Sequence, residues 1–148
     1  MFVADDLGYN DLGIMNGGKT RTAHIDGLIQ DDILLTSYYT FKVCAPTRTS
    51  IMTGRYPWKT GYYDMLDDGN HCVDTGFTML PAFLSGKGWA THAIGKWDVG
   101  GIVKECTPTT RGFDSFVGFY AACLEDYWYV GSKTPLSNQE SISDLSMR

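Results

Sequence analysis

The chain has 148 residues, a formal net charge of −5, and 43% hydrophobic and 20% charged residues. That length suffices for one modest domain burying roughly two-thirds of its unfolded surface. The acidic balance and the scattered basic residues argue against a nucleic-acid partner, and no apolar run reaches the length of a membrane-spanning helix.

In chain order, Phe2, Val3 and Ala4 form a short apolar run ending in Asp5 and Asp6. Such a run is expected at the carboxyl end of a central parallel strand, where α/β proteins place ligands. Met1 leads straight into it with no recognisable leader, so the sequence reads as starting inside a strand. Two adjacent carboxylates repel unless a cation lies between them. Oxygen ligands suit Ca²⁺, or Mg²⁺ with its stricter geometry. The other reading is a solvated pair opening a turn at Gly8. Thr22 can cap a helix reaching about Gln30. Residues 34–41, rich in Thr, Tyr and Leu, read as a strand.

The next segment is the most specific. Pro46 suits the first turn of a helix and Gly54 the residue just past its end, which predicts a helix over residues 46–53. A loop then delivers Cys44 to a positively polarised helix terminus, which lowers a thiol's pKa and attracts anions. Arg48 in the first turn adds a cation whose fork suits tetrahedral oxyanions. A reactive position facing an anion is one reading; a buried structural cysteine beside a capped helix is the other. Downstream, Thr78 can cap a helix with Met79, Leu80, Phe83 and Leu84 on one face, ending near Gly86 or Gly88. Residues 89–95 read as a strand that carries Lys96 at its end. Alternating strands and helices give the expected fold class: α/β, a parallel-rich sheet flanked by helices.

Cys44-x-Pro46-x-Arg48, continued by Met52-Thr53-Gly54-Arg55, resembles the signature of the sulfatases. Asp5-Asp6 resembles that family's metal-binding pair. Arg21-Thr22-Ala23-His24-Ile25-Asp26 resembles a following helix start, with Ala23 where proline is usual. Gly95-Lys96-Trp97 resembles its Gly-Lys-Trp-His segment. Lys104-Glu105-Cys106-Thr107-Pro108, Arg111-Gly112-Phe113-Asp114 and Glu125-Asp126-Tyr127 are most similar to the arylsulfatase B (N-acetylgalactosamine-4-sulfatase) branch.

This resemblance implies an alkaline-phosphatase-like sulfatase domain, present over residues 1–130 as its N-terminal part; residues 131–148, outside the resemblance and rich in serine, read from their composition as a solvated, poorly ordered tail. It implies a sulfuric ester hydrolase in which Cys44 is oxidised to formylglycine by the formylglycine-generating enzyme. The hydrated aldehyde would be the nucleophile, and Ca²⁺, rather than Mg²⁺, would be held by Asp5, Asp6 and the modified Cys44. Arg48 and Lys96 would bind the sulfate oxygens of a sulfate ester, such as that of a sulfated glycosaminoglycan. A Cys72–Cys106 disulfide and a lysosomal or secreted location follow from the same resemblance, with Cys123 left unassigned.

One residue departs from the pattern. Asp98 stands where the family has histidine, so an acceptor-only, negatively charged group replaces a donor at the catalytic position. With the second half of the family's catalytic domain unmatched, a truncated, inactive homologue with weak metal or sulfated-sugar binding is the alternative reading, and the 148-residue chain alone is expected to show no turnover. His24, His71 and His92 read as structural or surface residues. Tyr38, Tyr39, Tyr62, Tyr63 and Trp128 read as core and rim.

Overall fold

The computed structural model describes residues 1–63, 72–101, 103–120 and the backbone of Ile142–Asp144. His71, Cys123, the Glu125-Asp126-Tyr127 motif and Trp128 lie outside the described residues. The chain divides into two compact units, Met1–Thr40 and Phe41–Arg148.

In the first unit, helix α1 (Gly13–Asn16) and helix α2 (Ala23–Asp31) form around one polar knot. The Thr22 hydroxyl accepts from the Gly13 N–H at 2.7 Å and donates to Asp26 Oδ1 at 2.9 Å. Asp26 Oδ1 also accepts the Ile14 N–H at 3.2 Å. The first turn of α1 therefore has its unpaired N–H groups satisfied by two side chains from α2 and its cap position. The Thr22-to-Asp26 spacing serves this local architecture. The strands expected at residues 2–4 and 34–41 are absent, and Phe2, Leu34, Leu35 and Tyr39 are exposed. A strand needs a neighbour to complete its backbone hydrogen bonds, and this unit contains none among the described residues.

The second unit opens with helix α3 (Cys44–Thr53), two residues earlier than expected. Pro46 thus occupies its third position rather than its first. The first-turn amides have no partner inside a helix, so a proline there breaks no hydrogen bond. Gly54 ends α3 at φ 66°, with its N–H on the Ser50 carbonyl at 2.8 Å. That left-handed conformation is the one glycine adopts without a Cβ clash. The hydroxyls of Thr47, Ser50 and Thr53 each donate back to a carbonyl four residues earlier.

Two short helices follow, α4 (Pro57–Thr60) and α5 (Leu80–Ser85). Helix α5 buries Pro81, and its cap residue Met79 is buried too, but Leu80, Phe83 and Leu84 stay exposed, so the expected apolar face is only partly covered.

Strand β1 (His92–Lys96) pairs in parallel with β2 (Ser115–Phe119), in the register His92 opposite Ser115 to Lys96 opposite Phe119. Gly95 faces Gly118, and a Cβ on Gly118 would overlap the Gly95 backbone. A third strand, β3 (Ile142–Asp144), joins β2 antiparallel within the stretch expected to be a solvated tail. The parallel pair and its helices match the expected α/β class.

The core of this unit is Val73, Met79, Trp97, Val99 and Phe116. Trp97 anchors it: its indole N–H donates to the carbonyls of Gly100 at 2.6 Å and Cys106 at 3.1 Å, and its ring meets Phe113 edge-on. The disulfide expected from the resemblance is present. Cys72 and Cys106, with Cα atoms 5.6 Å apart, enclose β1 and the Trp97 loop. Closing a loop of 34 residues is expected to stabilise the unit by about 2–4 kcal/mol. The Cys72→Ala/Cys106→Ala double variant should therefore unfold at clearly lower urea than the parent, in equilibrium melts followed by tryptophan fluorescence. Coincident melts would show that the bridge constrains nothing.

Candidate active site

The fold brings Cys44, Arg48, Lys96 and Asp98 together. Cys44 is the first residue of α3, and Arg48 lies one turn further along the same face. Lys96 is the last residue of β1, and Asp98 follows two residues later. Arg48 Nη1 donates to the Lys96 carbonyl at 2.6 Å, fixing the helix start against the strand end. Arg48 thus holds the helix start against the strand end, a role the sequence motif did not reveal.

Lys96 and Asp98 form an ion pair, with Nζ 3.6 Å from Oδ2 and both side chains 9% exposed. The backbone at Asp98 is left-handed, at φ 53°. For a residue with a Cβ that conformation costs on the order of 1 kcal/mol, and it recurs at functional sites. It is held by neighbours: the Asp98 N–H donates to the Tyr120 carbonyl at 3.0 Å, and the Trp97 N–H to that of Phe119 at 2.9 Å.

The Cys44 thiol lies within hydrogen-bonding reach of both Asp98 and Lys96. The helix terminus led us to expect a lowered thiol pKa, and the structure reverses that expectation. Burial, and then the Asp98 carboxylate through its hydrogen bond and charge, push Cys44 above its ordinary 9.0, while Lys96 pulls it down. A pKa raised on folding favours the neutral thiol. Its contribution to stability is therefore complete below the ordinary thiol range and is lost as pH rises through the folded value.

It follows that the unmodified Cys44 should react with iodoacetamide more slowly at pH 8 than a free cysteine peptide, catching up only above pH 9. Asp98→Asn should speed the reaction by removing the charge that opposes the thiolate. Peptide-resolved mass spectrometry measures both rates. A Cys44 faster than the free peptide would contradict the assigned role of Asp98.

Asp5 and Asp6 belong to the Met1–Thr40 unit, on an exposed turn where Asp6 has φ 55°. Next to them the Gly8 N–H donates to Asp11 at 2.7 Å. Among the described residues, no group of three or more His, Cys, Asp or Glu side chains is arranged to hold a metal. The Asp5 and Asp6 carboxylates fit a hard cation chemically, as part of a shell that needs about six to eight oxygens for calcium. Of the histidines, His92 lies on an exposed sheet face with Nδ1 2.7 Å from the Ser115 hydroxyl, a cross-strand contact rather than a ligand set. Tyr62 packs against the core, and Tyr38, Tyr39 and Tyr63 are exposed.

Comparison with known proteins identifies the family. The sulfatase family model matches residues 1–147. Arylsulfatase J of Mus musculus is 36% identical over 135 residues, covering 90% of this chain and 22% of that protein. Steryl-sulfatase of Mus musculus is 33% identical, covering 85% and 22%. N-acetylgalactosamine-6-sulfatase of Sus scrofa is 28% identical, covering 80% and 24%. Among solved structures, Ps i-CgsB in complex with k-i-k-neocarrahexaose superposes with a TM-score of 0.72 at 34% identity, covering 81% of this chain and 27% of that one. The PsFucS1 sulfatase from Pseudoalteromonas sp. superposes with a TM-score of 0.68 at 30% identity. The chain thus spans about a quarter of the length of the relatives it matches, and it belongs to the sulfatase family.

Proposed function

We propose that this chain contributes the nucleophile and anion-binding portion of a sulfuric ester hydrolase. The observation that carries the reading is the convergence of Cys44, at a helix start, with Lys96 and Arg48. Cys44 is the residue we assign to formylglycine formation by the formylglycine-generating enzyme; once formed, the aldehyde hydrate supplies the oxygen nucleophile toward sulfur. Arg48 and Lys96 orient the sulfate and offset its charge, which preorganised cations in a water-poor site do effectively.

Asp5 and Asp6, with the modified Cys44, are the residues we assign to Ca²⁺, which supplies Lewis-acid polarisation when bound. Asp98 accepts a proton-bearing partner in the family's histidine position. The motifs at residues 104–114 support an arylsulfatase B-like branch, and the relative named for an N-acetylgalactosamine sulfate supports a sulfated glycosaminoglycan as substrate. The Cys72–Cys106 bridge supports passage through an oxidising compartment, as in a lysosomal or secreted protein. No helix among the described residues is long and apolar enough to cross a membrane.

One observation favours a second reading, a non-catalytic homologue: Asp98 neutralises Lys96 and stands where a donor is expected. Assaying the protein in the full reading frame that contains this chain, co-expressed with the modifying enzyme, separates the two. Calcium-dependent hydrolysis of 4-nitrocatechol sulfate that disappears in Cys44→Ala supports the enzyme. Sulfate ester binding without turnover supports the homologue.

A further inference from the structure

At the far end of α3 from Cys44, the second unit carries an exposed aromatic stack that hydrolysis does not use. The Tyr56 and Trp58 rings lie 4.3 Å apart and within 7° of parallel. Both stay open to solvent, Tyr56 at 66% and Trp58 at 56%, and Tyr63 of the same segment is 52% exposed. Contiguous exposed apolar surface of this kind marks a binding surface, whereas single exposed hydrophobics do not. The stack is also rigid. Tyr56 caps α4, Pro57 fixes its first turn, and Gly61 closes it at φ 73° with its N–H on the Pro57 carbonyl at 2.9 Å. The Tyr63 hydroxyl donates to the Trp58 carbonyl at 3.4 Å. Rings held in this way have little freedom left to lose on binding.

The charge carried by this part of the chain has one sign. Residues 33–63 contain Lys42, Arg48, Arg55 and Lys59 and no Asp or Glu, in a chain of net charge −5. Arg55 and Lys59 flank the stack in sequence, and both are exposed. The Arg55 guanidinium is seated 5.1 Å from the centre of the Phe77 ring, and Phe77 packs on the core. A guanidinium stacked by its face keeps its edge N–H groups for an oxyanion. Aromatic faces beside fixed cations match a sulfated sugar chain, whose pyranose rings present apolar C–H faces and whose sulfates are tetrahedral oxyanions. Resting on the sulfatase reading, we propose that residues 55–63 form a non-catalytic binding site for a sulfated polysaccharide, with Tyr56 and Trp58 stacking on a sugar ring and Arg55 and Lys59 binding its sulfates. The site is separated from Cys44 by the ten residues of α3, about 15 Å. A polymer held here raises the effective concentration of its own sulfate esters at Cys44, which a small aryl sulfate cannot do.

The test measures, by calorimetry on the protein in its full reading frame, the affinity for polymeric chondroitin sulfate and for 4-nitrocatechol sulfate. Turnover is not needed. Trp58→Ala should weaken binding of the polymer about tenfold, the loss expected for one aromatic stacking contact, and leave the small ester's affinity unchanged. Trp58→Phe, which keeps an aromatic face, should restore most of the polymer affinity. Lys59→Ala should weaken the polymer severalfold and flatten the dependence of its affinity on salt. Polymer affinity unchanged in Trp58→Ala, as when another part of the protein covers the stack, would overturn the proposal while leaving the sulfatase reading intact. Equal losses for polymer and small ester would overturn it too, since Trp58 would then act only through the fold. Failure of the parent to bind either compound would overturn both.

Discussion

In the full reading frame that contains this chain, and on the proposed sulfatase function, replacing Lys96 by alanine is expected to lower kcat for sulfate ester hydrolysis about 10²–10³-fold, the loss typical when one preorganised charge is removed from an oxyanion site. Lys96 is suited to that role by its surroundings. Its side chain is 9% exposed, its carbonyl is clamped by Arg48, and its ammonium faces the carboxylate of Asp98 and the sulfur of Cys44. Charge held there is little screened by water, so its removal is felt fully. Lys96→Ala also leaves Asp98 buried without its counter-ion, which opposes an incoming sulfate further. Steady-state kinetics beside a thermal melt distinguish this from misfolding: the melt should move far less than the rate. A rate within a few-fold of the parent would remove Lys96 from the site.

The largest stability effect is expected at Arg111, which lies outside the site. This side chain is 7% exposed. It donates to the carbonyls of Asp74 at 3.2 Å and Phe77 at 3.0 Å, and its Nε meets Met79 Sδ at 3.4 Å. Burial lowers its pKa and the Asp74 charge partly restores it. The guanidinium thus ties the segment before α5 to the loop before β2, using a buried cation satisfied mostly by backbone oxygens. Arg111→Met keeps the bulk but orphans those carbonyls, and about 3–5 kcal/mol of stability should be lost. Against the 5–15 kcal/mol of an ordinary domain that is a large share. Urea melts should show the midpoint falling by a large fraction, and an unchanged midpoint would show that the carbonyls find other partners.

Local signals in the sequence carried well into the structure. Pro46 and Gly54 bracket α3 because each acts through its own backbone preference, and the apolar run after Trp89 becomes β1 because β2 lies ready to pair with it. The run at residues 2–4 has the same local character but no neighbouring strand among the described residues of its unit, and it forms no strand and stays exposed. The thiol of Cys44 shows the same limit at the level of chemistry. Its helix terminus is visible in the sequence, but burial and the Asp98 carboxylate decide its pKa, and they come from a distant part of the chain. The lock on Trp97 and the capping of α1 by Thr22 and Asp26 likewise depend on which loops fold back, which spacing alone does not specify.

The most direct measurement is the mass of the Cys44 peptide from the full-reading-frame protein produced in cells that contain the formylglycine-generating enzyme, read with and without an aldehyde-reactive hydrazide. An aldehyde at Cys44, absent when Arg48 or Pro46 is replaced and accompanied by calcium-dependent sulfate release, is the expected result. A plain thiol at Cys44 in protein that nonetheless hydrolyses sulfate esters would contradict the assignment of Cys44 as the source of the nucleophile.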